Sequence, residues 1–202
     1  MKRLLGIFMM VHLLSGMSYG DLFGPTIEVV KKTHPLTQQV FEEYECYRDE
    51  DTNKPIKHGY YKSYHEDGKV RWEGNYVDGK LEGKGVLYYK SGKVKEEGNY
   101  VDGKQEGKEV GFYESGEVKW EVNYVDGKKE GKSVGYYKSG KVWWERNYVD
   151  GKKEGKEVGY YESGKVKGEI NYVDGKEEGK RVGYYESGKV QWEENWVNGK
   201  RE

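Results

Sequence analysis

One cysteine, three prolines and four histidines are all that 202 residues hold of the types that staple, kink or ligate a chain. A single thiol, Cys46, excludes an internal disulfide, and its expected role is that of a small buried apolar residue. His12, His34, His58 and His65 form no HExxH pair and no Cys/His cluster. No metal site and no cofactor are therefore expected. Gly-x-Ser-x-Gly and Walker-type phosphate loops are also missing. The recurrent Ser-Gly-Lys triplets lack the glycine loop before them and the helix after them. Neither sign of charge dominates, with 35 basic against 36 acidic residues. The basic excess that nucleic-acid binding needs is not there. Hydrophobic residues make up only 34% and charged residues 35%, a balance that by itself suggests disorder. Twenty Tyr and six Trp oppose that reading, because disordered chains are poor in aromatics. The composition implies a folded protein whose apolar area sits in amphipathic rings and which has no thick core.

The first twenty residues, MKRLLGIFMMVHLLSGMSYG, differ from the rest. Lys2 and Arg3 precede an apolar run from Leu4 to Leu14, and Ser18 and Gly20 suit a signal-peptidase site before Asp21. The run is shorter than the roughly 20 residues that span a bilayer. Residues 1–20 are expected to be a signal peptide, and the protein to be exported to the periplasm, the outer envelope or the medium. Without Lys2 and Arg3 the chain carries 33 basic and 36 acidic residues, a mildly acidic balance.

From Asn75 onward one 24-residue unit returns without insertion. The box NYVDGK begins at Asn75, Asn99, Asn123, Asn147 and Asn171, and reads NWVNGK at Asn195. Each unit holds two turn signals, Asp-Gly and Ser-Gly, separated by runs rich in Tyr, Trp and Val with no helical period. The unit reads as a β-hairpin. Residues 57–202 read as an all-β, elongated, single-layer antiparallel meander of such hairpins. Residues 21–56 are expected to be a leader and N-terminal cap, loose over 21–37, with a strand or short helix over Gln38–Tyr47.

If both turns have two residues, the register follows. Gly111 faces Trp120, Gly135 faces Trp144 and Gly183 faces Trp192, so that a ring covers bare backbone three times. Leu87 faces Glu96 instead, and Tyr113 faces Val118. Glu73–Lys84, Glu97–Lys108, Glu121–Lys132, Glu145–Lys156 and Glu169–Lys180 are expected as facing ion pairs. A one-residue slip would move every Trp to the charged face. The aromatic face then carries Trp72, Tyr76, Tyr100, Trp120, Tyr124, Trp144, Tyr148, Tyr172, Trp192 and Trp196, while Trp143 lies alone on the other. This row is the candidate binding face. The recurring carboxylates read as a solvated ion-pair ladder, not as acid–base catalysts.

The stretch YVDGKLEGKGVLYYKSGKV resembles the MORN repeat family in its bacterial variant, through Tyr76, Gly79, Gly83, Tyr88, Tyr89 and Gly92 and their copies. The resemblance implies stacked hairpins that bind proteins or lipid head groups or hold other domains. Bacterial members are often labelled antitoxin components. Gly74 and Gly98 keep the family's glycine before the first aromatic pair, whereas Val122, Arg146, Ile170 and Glu194 do not. Activities of appended catalytic domains are not expected to carry over, because the sequence ends inside a repeat. The expected function is a non-enzymatic exported scaffold that binds a macromolecule, most simply a protein. The alternatives are an antitoxin or immunity-type protein and a glycan- or wall-binding module.

Overall fold

The computed structural model describes residues 25–35 and 37–202, so the expected signal peptide lies outside the described residues. All elements among them are strands: β1 (Glu28–Thr33), β2 (Val40–Arg48), β3 (Pro55–Tyr64), β4 (Val70–Val77), β5 (Lys80–Tyr88), β6 (Val94–Val101), β7 (Lys104–Phe112), β8 (Val118–Val125), β9 (Lys128–Tyr136), β10 (Val142–Val149), β11 (Lys152–Lys153), β12 (Gly155–Tyr160), β13 (Val166–Val173), β14 (Lys176–Tyr184), β15 (Val190–Val197) and β16 (Lys200–Arg201). They form one open antiparallel sheet in sequence order, with β11 and β12 as two pieces of one interrupted strand beside β10.

The Asp-Gly turns are two-residue turns. Val101 pairs with Lys104 across Asp102-Gly103, and Asp102 (φ 52°) and Gly103 (φ 83°) are both left-handed, as a type I′ turn requires. Asp tolerates that region because its short side chain bonds locally. The Ser-Gly turns differ from expectation. Tyr113 and Glu117 close a three-residue loop, with Tyr113 N–H donating to Glu117 O at 2.8 Å and Gly116 N–H to Tyr113 O at 2.9 Å. Only the glycine is left-handed, at φ 111°. Serine does not supply the second positive φ that type I′ needs. Phe112, not Tyr113, therefore pairs with Val118, while Gly111 still pairs with Trp120.

A second correction follows from a bulge. Asn99 pairs with Glu106, but Glu97 pairs with Val110, so the register jumps by two residues around Gly107. Gly107 has φ 74°, and a Cβ there would meet nothing within 4 Å. The glycine is needed for its dihedral, not for space. The jump breaks the Glu97–Lys108 pairing expected across the Asp-Gly hairpin. Each lysine reaches across the other hairpin instead: Lys84–Glu97 and Lys108–Glu121 at 2.8 Å, Lys132–Glu145 at 2.9 Å, Lys156–Glu169 at 2.6 Å, and Lys180–Glu193. Glu73 takes Lys62 at 3.7 Å.

Residues 21–37 are not all loose, because β1 pairs with β2 and extends the sheet. The cap over Gln38–Tyr47 is the strand β2. Its Tyr44 is 4% exposed and Cys46 fully buried. Burial, with Glu28 nearby, pushes the Cys46 thiol above its ordinary pKa.

Successive hairpins are bonded at both ends. At the Asp-Gly end, Gly103 N–H donates to Leu81 O and Asp102 N–H to Glu82 Oε2. Lys80 Nζ adds Asp102 Oδ1. At the other end Tyr89 O–H donates to Phe112 O at 2.7 Å, and Tyr113, Tyr137 and Tyr161 repeat the contact. The degenerate first unit keeps the geometry with other chemistry. His65, in the place of Tyr89, stands 3.1 Å from Tyr88 O, and His58, in the place of Glu82, stands 3.1 Å from Asp78.

The indoles of Trp120, Trp144 and Trp192 lie on Gly111, Gly135 and Gly183, where an added Cβ would come within 2.3 Å of ring atoms. Gly135→Ala is expected to lower stability by about 1–3 kcal/mol by displacing Trp144. Trp144→Ala should cost a similar amount, since the ring is only partly buried. The double variant should lose at least ~0.5 kcal/mol less than the sum, measured by urea unfolding. Additive losses would show that ring and glycine do not support one another.

Candidate functional site

Strand alternation gives the sheet two different faces. One is a charged ladder. Glu121 accepts from Lys108 at 2.8 Å and from the Tyr136 hydroxyl at 3.4 Å, and Tyr184 reaches Glu169 in the same way at 3.2 Å. Tyr88 bonds Glu73, and burial together with that carboxylate pushes its pKa to about 12. Val86 and Val182 are buried beneath this layer. Lysine, valine and glutamate recur here in every full copy, as Lys84, Val86 and Glu97 and their equivalents. Trp143 departs from that sameness. It lies on this face, 44% exposed, with its ring 6.2 Å from Tyr137.

The other face is aromatic, and on it the copies disagree. Position 98 and its equivalents read Gly74, Gly98, Val122, Arg146, Ile170 and Glu194, five residue types in six copies. From Gly98 onward their cross-strand partners are Gly85, Glu109, Ser133, Glu157 and Arg181. Opposite the tyrosine row stand Leu81, Gln105, Lys129, Lys153 and Glu177. Lysine, valine and glutamate thus recur on the charged face, whereas the positions between the rings of the other face vary.

Four of the expected site residues meet in one place. Trp120, Tyr124, Trp144 and Tyr148 line a shallow groove of about 230 Å³ with Glu109, Val122, Lys129, Ser133 and Arg146. The Arg146 guanidinium lies 3.7 Å from the Trp144 ring centre, and Lys129 Nζ lies 5.4 Å from that of Tyr148, both cation–π geometries. Burial, then the Glu96 carboxylate, raises the pKa of Glu109, while bonds from Tyr124 and Gln105 oppose the rise. Burial and Glu109 push Tyr124 far above the ordinary tyrosine range. Burial likewise raises Tyr76, Tyr100 and Tyr172.

The remaining candidates are distributed along the face. Trp72 and Tyr100 share a smaller groove beside Gly85 and Gly98. Trp72 has no cross-strand glycine to cover, since it pairs with Ser63 and Leu87, and it leans over Gly74 in its own strand. Tyr76 joins Tyr61 and Tyr44 around Lys57 Nζ, at 5.0, 4.1 and 5.1 Å. Tyr172 carries Lys153 Nζ 4.4 Å from its ring centre and donates its O–H to Glu177. Trp192 is 40% exposed, and Arg181 stands over both it and Trp196.

The aromatic row was legible from alternation alone. The cations, Lys57, Lys129, Arg146 and Arg181, were not singled out. A comparison of the copies position by position would have found all but Lys57, because they occupy the positions that change. Among the described residues no cluster of His, Cys, Asp and Glu could hold a metal, and no helix is long and apolar enough to cross a membrane. Flat rings, flanking cations and shallow relief suit this face to holding a large surface.

A single open sheet of consecutive, nearly identical hairpins defines a β-hairpin repeat protein. The MORN repeat variant family matches residues 57–78, 81–102, 105–126, 153–174 and 177–198, more than half of the chain, and the protein belongs to that family. The unit containing β9 and β10 falls between matched segments yet keeps the same hairpin. No curated protein matches the chain. Among solved structures, the chain is similar to a GtfA/B complex bound to UDP and GlcNAc, at 11% identity and TM-score 0.24 over 55% of this chain and 22% of that one. It is also similar to TarM, at 16% identity and TM-score 0.22 over 66% of this chain and 18% of that one. The chain thus matches only about a fifth of each of these proteins.

Because the raised pKa of Glu109 means that its charged form is disfavoured in the folded state, Glu109→Gln is expected to leave stability unchanged or raise it at pH 7. The sign is fixed by linkage: a carboxyl with a raised folded pKa is destabilising above that pKa and relieved as it protonates. Any gain should therefore shrink as pH falls through the carboxylate range. A gain that grows on acidification in urea melts at several pH values would contradict this assignment.

Proposed function

We propose that this protein is a non-catalytic repeat scaffold, exported from the cytoplasm, that binds a protein partner through the varied aromatic face of its sheet. One observation carries the reading. The charged face shows what the fold alone demands, a ladder repeated in every unit. The aromatic face departs from repetition between its rings, where Gly98, Arg146 and Glu194 are half-buried and Val122 and Ile170 buried, and at their half-buried cross-strand partners Glu109, Glu157 and Arg181. A surface that only held the sheet together would be copied with the rest. Several weak contacts presented by one rigid sheet add through effective concentration.

The same variation favours a protein over a glycan. A polymeric sugar repeats and suits identical subsites, whereas the copies here differ, with a cation at Arg146, an anion at Glu194 and no charge at Gly98, Val122 or Ile170. Neutralisation of a partner toxin is one form that such binding takes, and it requires the partner in the same compartment. Export rests on the leader sequence, and fractionation that finds full-length protein in the cytosol would remove that part of the proposal.

The binding face is tested by placing a photo-crosslinking p-benzoylphenylalanine at Tyr148 or, on the opposite face, at Trp143. Both are ring-for-ring substitutions. In native cells Tyr148 is expected to yield a discrete protein adduct at least tenfold stronger than Trp143. The reverse ratio would place binding on the charged face and overturn the proposal.

A further inference from the structure

The row of indoles is interrupted at Glu96 and again at Gly168. Residue 168 stands where Trp120, Trp144 and Trp192 stand in their copies, and it is glycine. Its cross-strand partners are also glycines, Gly159 on β12 and Gly183 on β14. Gly111, Gly135 and Gly183 are buried beneath their rings, but Gly159 is partly exposed. A Cβ built on Gly159 meets nothing nearer than the Gly168 carbonyl at 3.9 Å, against 2.3 Å to the Trp144 indole at Gly135. An open notch of about 260 Å³ results, with Gly159 and Gly168 in its floor and Glu157, Ile170, Arg181 and Trp192 among its walls. Each repeat advances two strands, roughly 10 Å, so the notch lies midway along a gap of about 19 Å between Trp144 and Trp192.

We propose that this notch receives an aromatic side chain of the protein partner, laid on the glycine floor as the chain's own indoles are laid elsewhere. This deepens the reading of the varied face as the binding face and rests on it. The chain itself demonstrates the fit, since the three other glycines of this register, Gly111, Gly135 and Gly183, are each covered by an indole. Covering bare strand backbone shields its hydrogen bonds from water, and a planar ring covers it with least loss of side-chain freedom. The Arg181 guanidinium, 5.6 Å from the Trp192 ring centre, lies where it would flank a second ring. A sugar is less well served. Glu157 already takes Lys153 at 2.7 Å and Arg146 at 3.7 Å, and Arg181 takes Glu177 at 3.7 Å, which leaves few unengaged groups for hydroxyls.

The test is a titration of the ¹⁵N-labelled full chain with N-acetyltryptophanamide, N-acetylleucinamide and N-acetylglucosamine, followed by amide shifts. The tryptophan amide is expected to move the Gly159 and Gly168 amides saturably, with Gly111 and Gly135 still, and the leucine amide to move them at least fivefold less at equal concentration. Gly168→Trp, which rebuilds the missing indole, should abolish the response while the remaining spectrum shows the fold intact. A Cβ at 168 would lie 3.1 Å from the Val182 carbonyl, a small strain. Should that variant not fold, the wild-type comparison of the three probes decides alone. Equal shifts with the leucine amide, a response to the sugar without one to tryptophan, or no saturable shift at Gly159 would each overturn the proposal. Shifts confined to the Trp120–Trp144 groove would overturn the notch and leave the face as the binding surface, whereas partner adducts only from Trp143 would remove the face itself.

Discussion

A sheet one layer thick has nothing above or below it to exclude water from its backbone. Everything else in this protein follows from that constraint. Side chains must cover the sheet they grow from, so the apolar material is supplied as rings, which are wide for their conformational cost. Indoles lie across glycines and tyrosines run in rows. Valines such as Val86 and Val182 are buried under charged neighbours on the opposite face. Few of the described residues are truly buried, and those that are lie in both faces, from Tyr44 and Cys46 near the N-terminal edge to Val182.

The same constraint explains why the hairpins are bonded at their tips as well as along their strands. Without a core, each unit holds its neighbour mainly through strand pairing, and the ends of a long hairpin are where pairing stops. Glu82 reaching the next turn's backbone, and Tyr89 reaching the next hairpin's carbonyl, extend the grip beyond the ladder. Stability in such an array is close to a sum of nearest-neighbour terms. Near-identical contacts at successive junctions keep any one of them from being the weak point. The side chains that make these contacts are accordingly among those that recur without change.

Freedom is left where these demands do not reach. The positions between the rings on the aromatic face pair with one another across strands, and their identity is set neither by turn nor by ladder. Here the copies diverge from glycine to arginine to glutamate, and here one indole is replaced by glycine. The grooves at Arg146 and at Gly168 are products of that divergence, and so a repetitive fold acquires places that do not repeat.

Much of this was legible in the chain itself. Asp-Gly pairs dictate type I′ turns because Asp and Gly both accept a left-handed backbone, and alternation between turns then assigns every Trp and Tyr to a face. Counting back from a two-residue Ser-Gly turn gives the pairing of Gly111 with Trp120 and of Leu87 with Glu96, and both hold because a register shift beside the three-residue loop makes good the extra residue. Three things were decided only in the folded sheet. Ser-Gly makes a three-residue loop, because serine does not take up the second left-handed position. Gly107 and its equivalents insert a bulge, visible only as a dihedral, that moves each lysine's partner from one hairpin to the other. The notch at Gly168 exists because two adjoining strands bring further glycines beside it, a coincidence of register that residues spaced 9 and 15 apart in the chain do not announce. Local sequence thus fixed turns and faces, where the deciding forces act over two or three residues. Neighbour identity across the sheet had to wait for the register that bulges and loops jointly set.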